Sequence, residues 1–306
     1  MENDLPSADA TRCGYVTLLG APNAGKSTLL NQLVGAKIAI VSPKVQTTRA
    51  RVTAIALEGN TQIIFVDTPG IFAPSRRLEK AMVNAAWDGA QDADKVALLV
   101  DSLKGVTKDV IRIIEGLKES GRKAHLILNK IDAIKRDTLL GLAKELMEYE
   151  VFEQVFMISA LTGDGVADLR SELAKEMPSG PWLYPEDQLA LAPMRSLAAE
   201  ITREKLFLRM NQELPYSLTV ETESWEERKD GSVKINQVIY VSRANHKPII
   251  LGKGGRAIKQ IGAMAREELE ESLGCRVHLF LFVKVREKWT DDPERYQEMG
   301  LDFPKD

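Results

Sequence analysis

Apolar positions change character once along the chain. Up to about residue 177, short, mostly apolar runs alternate with stretches of helical spacing. The runs fall at residues 16–19, 52–57, 62–66, 95–100, 124–128 and 155–158. A strand buried on both faces reads this way, because no alternate position is left for water. Helical spacing predicts helices over residues 27–34, 78–90, 107–118, 139–149 and 166–177. Gly59-Asn60 between two runs predicts a hairpin. Elsewhere strand and helix alternate, which predicts a mainly parallel, doubly wound α/β sheet. Pro43 with the polar run 44–51, and the aperiodic residues 71–77, read as loops.

After PSGPWLYPED the pattern changes. Pro178, Gly180, Pro181 and Pro185 stop any periodicity, and Trp182 and Tyr184 are expected to pin this stretch to a domain face. A helix is predicted over residues 194–210, broken by Leu214-Pro215-Tyr216. Strands follow at 217–222 and 234–241, then a glycine-rich turn, a helix carrying Ile258, Ile261, Ala265, Leu269 and Leu273, and a strand at 277–285. The expected order is α-β-β-α-α-β, an α+β domain. The expected division is a flexible end (1–12), a first domain (13–178), a linker (179–193) and a second domain (194–306).

The chemistry sits at the ends of the first domain's strands. GAPNAGKS runs from Gly20 to Ser27 between a strand and a helix. This GxxxxGK[ST] pattern is a phosphate-binding loop: glycines let the backbone curl around an anion, and the helix N-terminus points its N–H groups at it. Gly20, Asn23, Ala24, Gly25, Lys26, Ser27 and Thr28 are the candidate contacts. Lys26 reaches the terminal phosphates, and the Ser27 hydroxyl suits Mg²⁺. Asp67 ends a buried strand, where a carboxylate is costly unless a cation is near. It is the candidate for holding Mg²⁺ through water, and Gly70 of DTPG can turn its N–H toward a γ-phosphate.

The next strand but one ends in Asn129-Lys130-Ile131-Asp132. The Asp132 carboxylate can accept from N1–H and the 2-amino group of guanine. Adenine would leave it unpaired, at about 1–3 kcal/mol for each lost bond. Asn129 can bridge to the phosphate loop, and the Lys130 stem can cover a ring face. Ser159-Ala160-Leu161 falls where a further base-binding loop belongs. GTP is therefore the expected nucleotide, and an ATPase built on the same phosphate loop is the weaker alternative. Ile71 follows DTPG, where Ras-like enzymes carry a water-orienting glutamine. Slow hydrolysis that a partner accelerates is expected, with a non-catalytic RNA-binding scaffold as the second alternative.

Net charge is −3, so any nucleic-acid surface must be local. Residues 242–266 supply one, with six basic residues and no acidic one. They contain Gly252-Lys253-Gly254-Gly255, a GxxG turn that opens a helix. Small glycines admit a nucleic-acid backbone, and Lys253, Arg256 and Lys259 are placed for its phosphates. Cys13 and Cys275 are too few for a disulfide scaffold, and the three histidines make no metal pattern. With no apolar stretch long enough to span a bilayer, a cytoplasmic protein is expected.

GAPNAGKS, QTTR, DTPG, NKID and SAL together resemble the translation-factor-related GTPases, and more closely the Era family of bacterial ribosome-assembly GTPases. ILGKGGRAIKQIG is similar to the VIGKGGxxIKxIG core of prokaryotic-type (type II) KH domains. With YPED at 184–187 and LPYS at 214–217, the resemblance runs over about residues 14–303. It implies a GTPase switch joined to a KH domain that binds 16S ribosomal RNA near its 3′ end and assists maturation of the 30S subunit. It also implies Thr48 as a Mg²⁺ ligand, and the residues alone do not separate it from Thr47. In relatives with a monovalent-cation requirement an Asn at the place of Asn23 holds K⁺, which makes K⁺ a candidate beside Mg²⁺. A monomer is expected, and the family adds peripheral association with the inner membrane.

Overall fold

The computed structural model describes residues 11–191, 193–210, 214–287 and 289–304. The chain forms two compact units. Among the described residues the first holds 11–39, 48–191 and 299–304, and the second holds 40–47 and 193–298.

The first unit is the expected α/β sheet. Its strands are β1 (Arg12–Gly20), β2 (Val52–Glu58), β3 (Thr61–Asp67), β4 (Lys95–Asp101), β5 (Ala124–Asn129) and β6 (Phe152–Ile158). The helices are α1 (Lys26–Val34), α2 (Arg77–Asp92), α3 (Lys108–Glu119), α4 (Arg136–Met147) and α5 (Val166–Glu176). Strand order is β2-β3-β1-β4-β5-β6, all parallel except β2, which pairs antiparallel with β3 through the hairpin. Alternate residues feed two separate cores. Val16, Leu18, Ala97 and Leu99 pack toward α1 and α5, whereas Leu19, Val96, Leu98 and Val100 pack with residues of α3 and α4. Both faces being covered is why the runs carry no polar alternation. After β1 the chain builds β2 and β3 on one side of it and then crosses to β4 on the other, so a crevice opens at the carboxyl end of β1.

One expectation at the borders needs correction. Residues 1–10 of the expected flexible end lie outside the described residues, but Thr11 and Arg12 are built in. Arg12 opens β1, and the Thr11 hydroxyl donates to the Gly180 carbonyl at 2.8 Å. The stretch 179–191, expected as a linker pinned to a domain face, lies in the first unit. Gln62 holds it: its Oε1 accepts from Leu183 and Tyr184 N–H at 2.9 and 3.1 Å, and its Nε2 donates to the Tyr184 carbonyl at 2.8 Å. Trp182 Nε1 donates to the Asn60 carbonyl at 3.1 Å. Further on, Ala190 bridges to Ala54 on β2. The pinning role expected of Trp182 and Tyr184 is what these bonds do.

The second unit has α6 (Met194–Arg209), β7 (Leu218–Glu227), β8 (Val233–Val241), α7 (His246–Leu251), α8 (Arg256–Leu273), β9 (Val277–Val285) and a short α9 (Pro293–Glu298). Its sheet runs β7-β8-β9, antiparallel then parallel. Leu206, Ile239, Ile261 and Val283 form one apolar cluster, and Ile201, Ile235, Ala265 and Leu269 a second. Thr202, Arg203, Glu204 and Lys205 on α6 are all buried, and each is bonded. Thr202 Oγ1 donates to Gln237 Oε1 at 2.6 Å, and Arg203 Nε to Glu200 at 2.7 Å. Lys205 pairs with Glu204 at 2.9 Å and with Glu268. Glu204 also accepts the Val41 N–H at 2.7 Å. Lys44 Nζ caps the end of α6 by donating to the Phe207 and Met210 carbonyls. Beyond β9 the chain forms α9, with Trp289 and Tyr296 fully buried. Arg286 and Arg295 stack on the Tyr240 ring. Among the described residues, no helix is long and apolar enough to cross a membrane.

Candidate functional site

The crevice at β1 collects most of the predicted residues. Asn23 and Gly25 take left-handed conformations, with φ of 64° and 102°. At Gly25 a Cβ would stand 2.2 Å from Asn129 Nδ2, so the loop tolerates no side chain there. Lys26 is buried and folded back, its Nζ donating to the Gly20 and Ala21 carbonyls at 3.1 and 3.4 Å. Asn23, Ser27 and Thr28 are half-buried along the loop and the start of α1, and Gly20 and Ala24 are buried.

A second group of atoms forms a compact set of oxygens. Ser27 Oγ lies 2.6 Å from Asp67 Oδ2 and 2.8 Å from Thr48 Oγ1, and Thr48 donates to Asp67 Oδ2 at 3.1 Å. Thr47 is occupied elsewhere, donating to the Lys44 carbonyl at 2.8 Å and lying 2.8 Å from Ser42 Oγ. Thr48 is thus the threonine that meets Ser27 and Asp67. Asp67 is fully buried, and its Oδ1 is without a hydrogen-bond partner. Burial pushes this carboxyl upward, against the pull of Lys26, Ser27 and Thr48. Burial likewise pushes the Lys26 ammonium downward, with Asp67 opposing it. Three hard oxygen ligands and one orphaned carboxylate oxygen fit a small divalent cation, and Mg²⁺ is the ion such a set suits.

DTPG continues from β3 beside this group. Thr68 Oγ1 donates to the Leu18 carbonyl at 2.7 Å, and the Ile71 N–H to the Gly20 carbonyl at 3.1 Å. Half-buried Gly70 lies between these two ties, with the backbone nitrogen of Pro22 2.9 Å from where its Cβ would be. The Ile71 side chain is fully buried in the core with Leu19 and Val100. It has neither the chemistry nor the exposure to orient water.

The NKID strand end is stitched to the phosphate loop. Asn129 Nδ2 donates to the Ala24 carbonyl at 2.8 Å, and its Oδ1 accepts from Ala160 N–H at 2.9 Å. One side chain therefore spans the three loops at the ends of β1, β5 and β6. The Ala160 N–H of the candidate base-binding loop is engaged by this bond. Ser159 is fully buried and Leu161 is exposed. Lys130 takes φ of 70° and sends its Nζ to the Asn23 carbonyl at 3.0 Å and to Asp101 Oδ2 at 2.6 Å. Asp132 is exposed at the rim. Asp101 was not among the residues predicted. It ends a buried strand just as Asp67 does, and the same cost argument would have found it.

In the second unit, Gly252 (φ 69°, ψ 173°), Gly254 and Gly255 all have positive φ and wind the chain from α7 into α8. Lys253, Gly254, Arg256 and Lys259 are exposed, and Arg256 and Lys259 are three apart on one helix side. Ile249, also exposed, adds an apolar position just before the turn. β9 is an edge of its sheet.

Comparisons with known proteins agree with both halves. The family model for 50S ribosome-binding GTPases matches residues 15–130, and that for the KH domain matches 213–290. The GTPase Era of Sinorhizobium medicae is 62% identical over 304 residues, covering 99% of this chain and 98% of that protein. That of Bradyrhizobium diazoefficiens is 58% identical over 297 residues, covering 97% and 96%. Two solved structures of Era superpose with a TM-score of 0.90 at 38% identity, covering 95% of this chain and 99% of theirs. One is an Aquifex aeolicus Era variant bound to GDP·AlF4⁻. The other is Era in complex with MgGDPNP and nucleotides 1506–1542 of 16S ribosomal RNA.

Proposed function

The chain belongs to the Era family of GTPases, and from that premise we propose that it grips single-stranded 16S ribosomal RNA near the 3′ end and assists 30S maturation. It is a GTP-hydrolysing enzyme of the phosphate-loop class that uses Mg²⁺. The observation that carries the RNA reading is the exposed GKGG turn with Lys253, Arg256 and Lys259, in the same chain as the phosphate loop.

The residues take these roles. Backbone N–H groups from Asn23 to Thr28 hold the phosphates, and Lys26 exchanges its carbonyl contacts for phosphate oxygens. Ser27 and Thr48 would hold Mg²⁺, with Asp67 beside them. The ion would supply charge neutralisation at the phosphates. Gly70 offers its N–H to the γ-phosphate. Loss of that phosphate frees Thr48 and Gly70, the order-to-disorder step of a switch. Asp132 reads the guanine edge, Asn129 ties its loop to the phosphate loop, and Ser159 to Leu161 close the base site. With Ile71 in the core, water is oriented by backbone and cation, and turnover is slow until RNA binds. Peripheral membrane association, which the resemblance implied, forms no part of this reading.

The test is GTP turnover by the protein alone and with the 3′-terminal 16S fragment or 30S subunits. Slow turnover alone and a several-fold rise with RNA are expected. RNA binding with no turnover in any condition would favour a non-catalytic scaffold, for which the buried Ile71 speaks. Running the assay in K⁺ and in Na⁺ at equal ionic strength tests Asn23 as the holder of a monovalent ion. Faster turnover in K⁺ is expected, and equal rates would remove K⁺ from the mechanism.

A further inference from the structure

Asp101 closes β4 and is only 7% exposed. Its Oδ1 accepts the Leu103 N–H at 3.1 Å, which turns the chain after the strand. Its Oδ2 lies 2.6 Å from Lys130 Nζ, and Lys104 stands off at 4.0 Å. The Lys130 ammonium also donates to the Asn23 carbonyl at 3.0 Å. The end of this side chain is thus held between β4 and the phosphate loop. Its beginning is fixed as well, by a left-handed backbone at φ 70°.

A lysine stem with a loose end samples many rotamers and loses that freedom when it packs on a ligand. Lys130 has lost it before any ligand arrives. Its stem runs from the NKID loop to the phosphate loop, the span a purine must occupy if Asp132 reads the base edge. We propose that Asp101 is a positioning residue for the nucleotide base: it anchors Lys130 so that the stem is a preformed cover for the ring face. This rests on the guanine reading of Asn129 to Asp132. Asp101 touches no nucleotide atom and acts only through Lys130. Preorganisation of this kind strengthens binding by removing an ordering cost. It favours no particular purine, because the ring face is common to all of them.

That last point separates the proposal from an ordinary structural ion pair. The variants are Asp101→Asn, which keeps an acceptor for Leu103 and removes the charge, Asp101→Glu, Lys130→Met, and Asp101→Asn combined with Lys130→Met. Affinities for GDP, GTP and ITP are measured by displacement of a fluorescent GDP analogue, and thermal midpoints are recorded alongside. Asp101→Asn is expected to weaken all three ligands by the same factor, about tenfold. Adding it to Lys130→Met should change little, and Asp101→Glu should recover part of the loss. Unchanged affinity in Asp101→Asn overturns the proposal, as do losses that multiply in the double variant. A collapsed preference for GTP over ITP also overturns it, since that means the Asp132 loop has shifted. A wild-type chain that binds no guanine nucleotide overturns the guanine reading itself. Guanine binding indifferent to Asp101 overturns only this inference.

Discussion

Asp132 stands exposed at the rim while Asn129 and Lys130 behind it are locked by side-chain bonds. Its work is therefore confined to the ligand, and a change there alters selectivity without disturbing the fold. Asp132→Asn leaves guanine's N1–H and 2-amino donors facing an amide and should weaken GTP by about a hundredfold. Xanthosine triphosphate, with an oxygen at that position, should gain. Competition between the two nucleotides checks this, and an unchanged ranking would remove Asp132 from base reading. Glu176 is a different kind of residue, at the far end of the sheet. Burial raises its carboxyl, but Lys95 at 2.7 Å and His125 at 2.9 Å outweigh burial and hold it below the ordinary glutamate value. A carboxyl lowered on folding stabilises fully above its unfolded value, and the gain is lost as pH falls through the folded one. Glu176→Gln should lower stability by about 1 kcal/mol near neutral pH. The gap to wild type should close below the glutamate range, and a gap that persists in acid would mean packing, not charge, is at stake. Residue identity was legible where chemistry narrows the choice, as with Asp67 at the end of its buried strand. Thr47 and Thr48 were not separable, because two adjacent hydroxyls in an aperiodic loop differ only in what the folded chain brings to them.

Elements follow the same division between pattern and particular contact. The central strands of the first unit were readable because burial on both faces leaves mostly apolar runs, whereas the edge strand β6 exposes Glu153 and Gln154 and was legible only over 155–158. The strap 179–191 and α9 were not. The strap is held by scattered side chains, Gln62, Trp182 and Thr11, and a few backbone bonds, and α9 by an isolated tryptophan and tyrosine amid charges. Neither leaves a period to detect. The GKGG turn was legible, but its three glycines are not equivalent. Gly252 has φ 69° and ψ 173°, and a Cβ there would meet the Ala257 Cβ at 2.7 Å. Gly254, at φ 60° and ψ 27°, has nothing within 4 Å of its would-be Cβ. Gly252→Ala should thus cost about 2 kcal/mol or more and misdirect the start of α8. Gly254→Ala should cost only about 1 kcal/mol of left-handed strain. Thermal melts and single-stranded RNA titrations of both variants test the contrast. Equal behaviour would mean the turn is shaped by something other than the Gly252 approach to α8.

On the scale of the whole molecule, the two units are interleaved in sequence. The chain passes between them after Ala39, between Thr47 and Thr48, near residue 192, and again after Glu298. The second passage falls on the peptide bond before Thr48, whose hydroxyl meets Ser27 and Asp67. Residues 40–47 are meanwhile anchored to α6 by Glu204, which accepts from Val41, and by Lys44 on the terminal carbonyls. We predict that ordering or releasing Thr48 loads the segment 40–47 that directly precedes it in the chain. Such coupling is reciprocal in binding free energy: RNA that prefers one nucleotide state must favour that nucleotide in return. Charge reversal at the clamp tests it. Replacing Lys253 and Gly254 together by Asp puts two carboxylates where the phosphate backbone is to lie. Affinity for the 3′-terminal RNA should fall by at least tenfold, since two like charges meet the phosphates. The RNA-dependent rise in GTP turnover should vanish at RNA concentrations that saturate the wild type. Higher RNA should recover it only as far as binding recovers. Stimulation that survives the loss of RNA affinity would mean that RNA reaches the phosphate site by another surface, and the GKGG turn would no longer be the input of the switch.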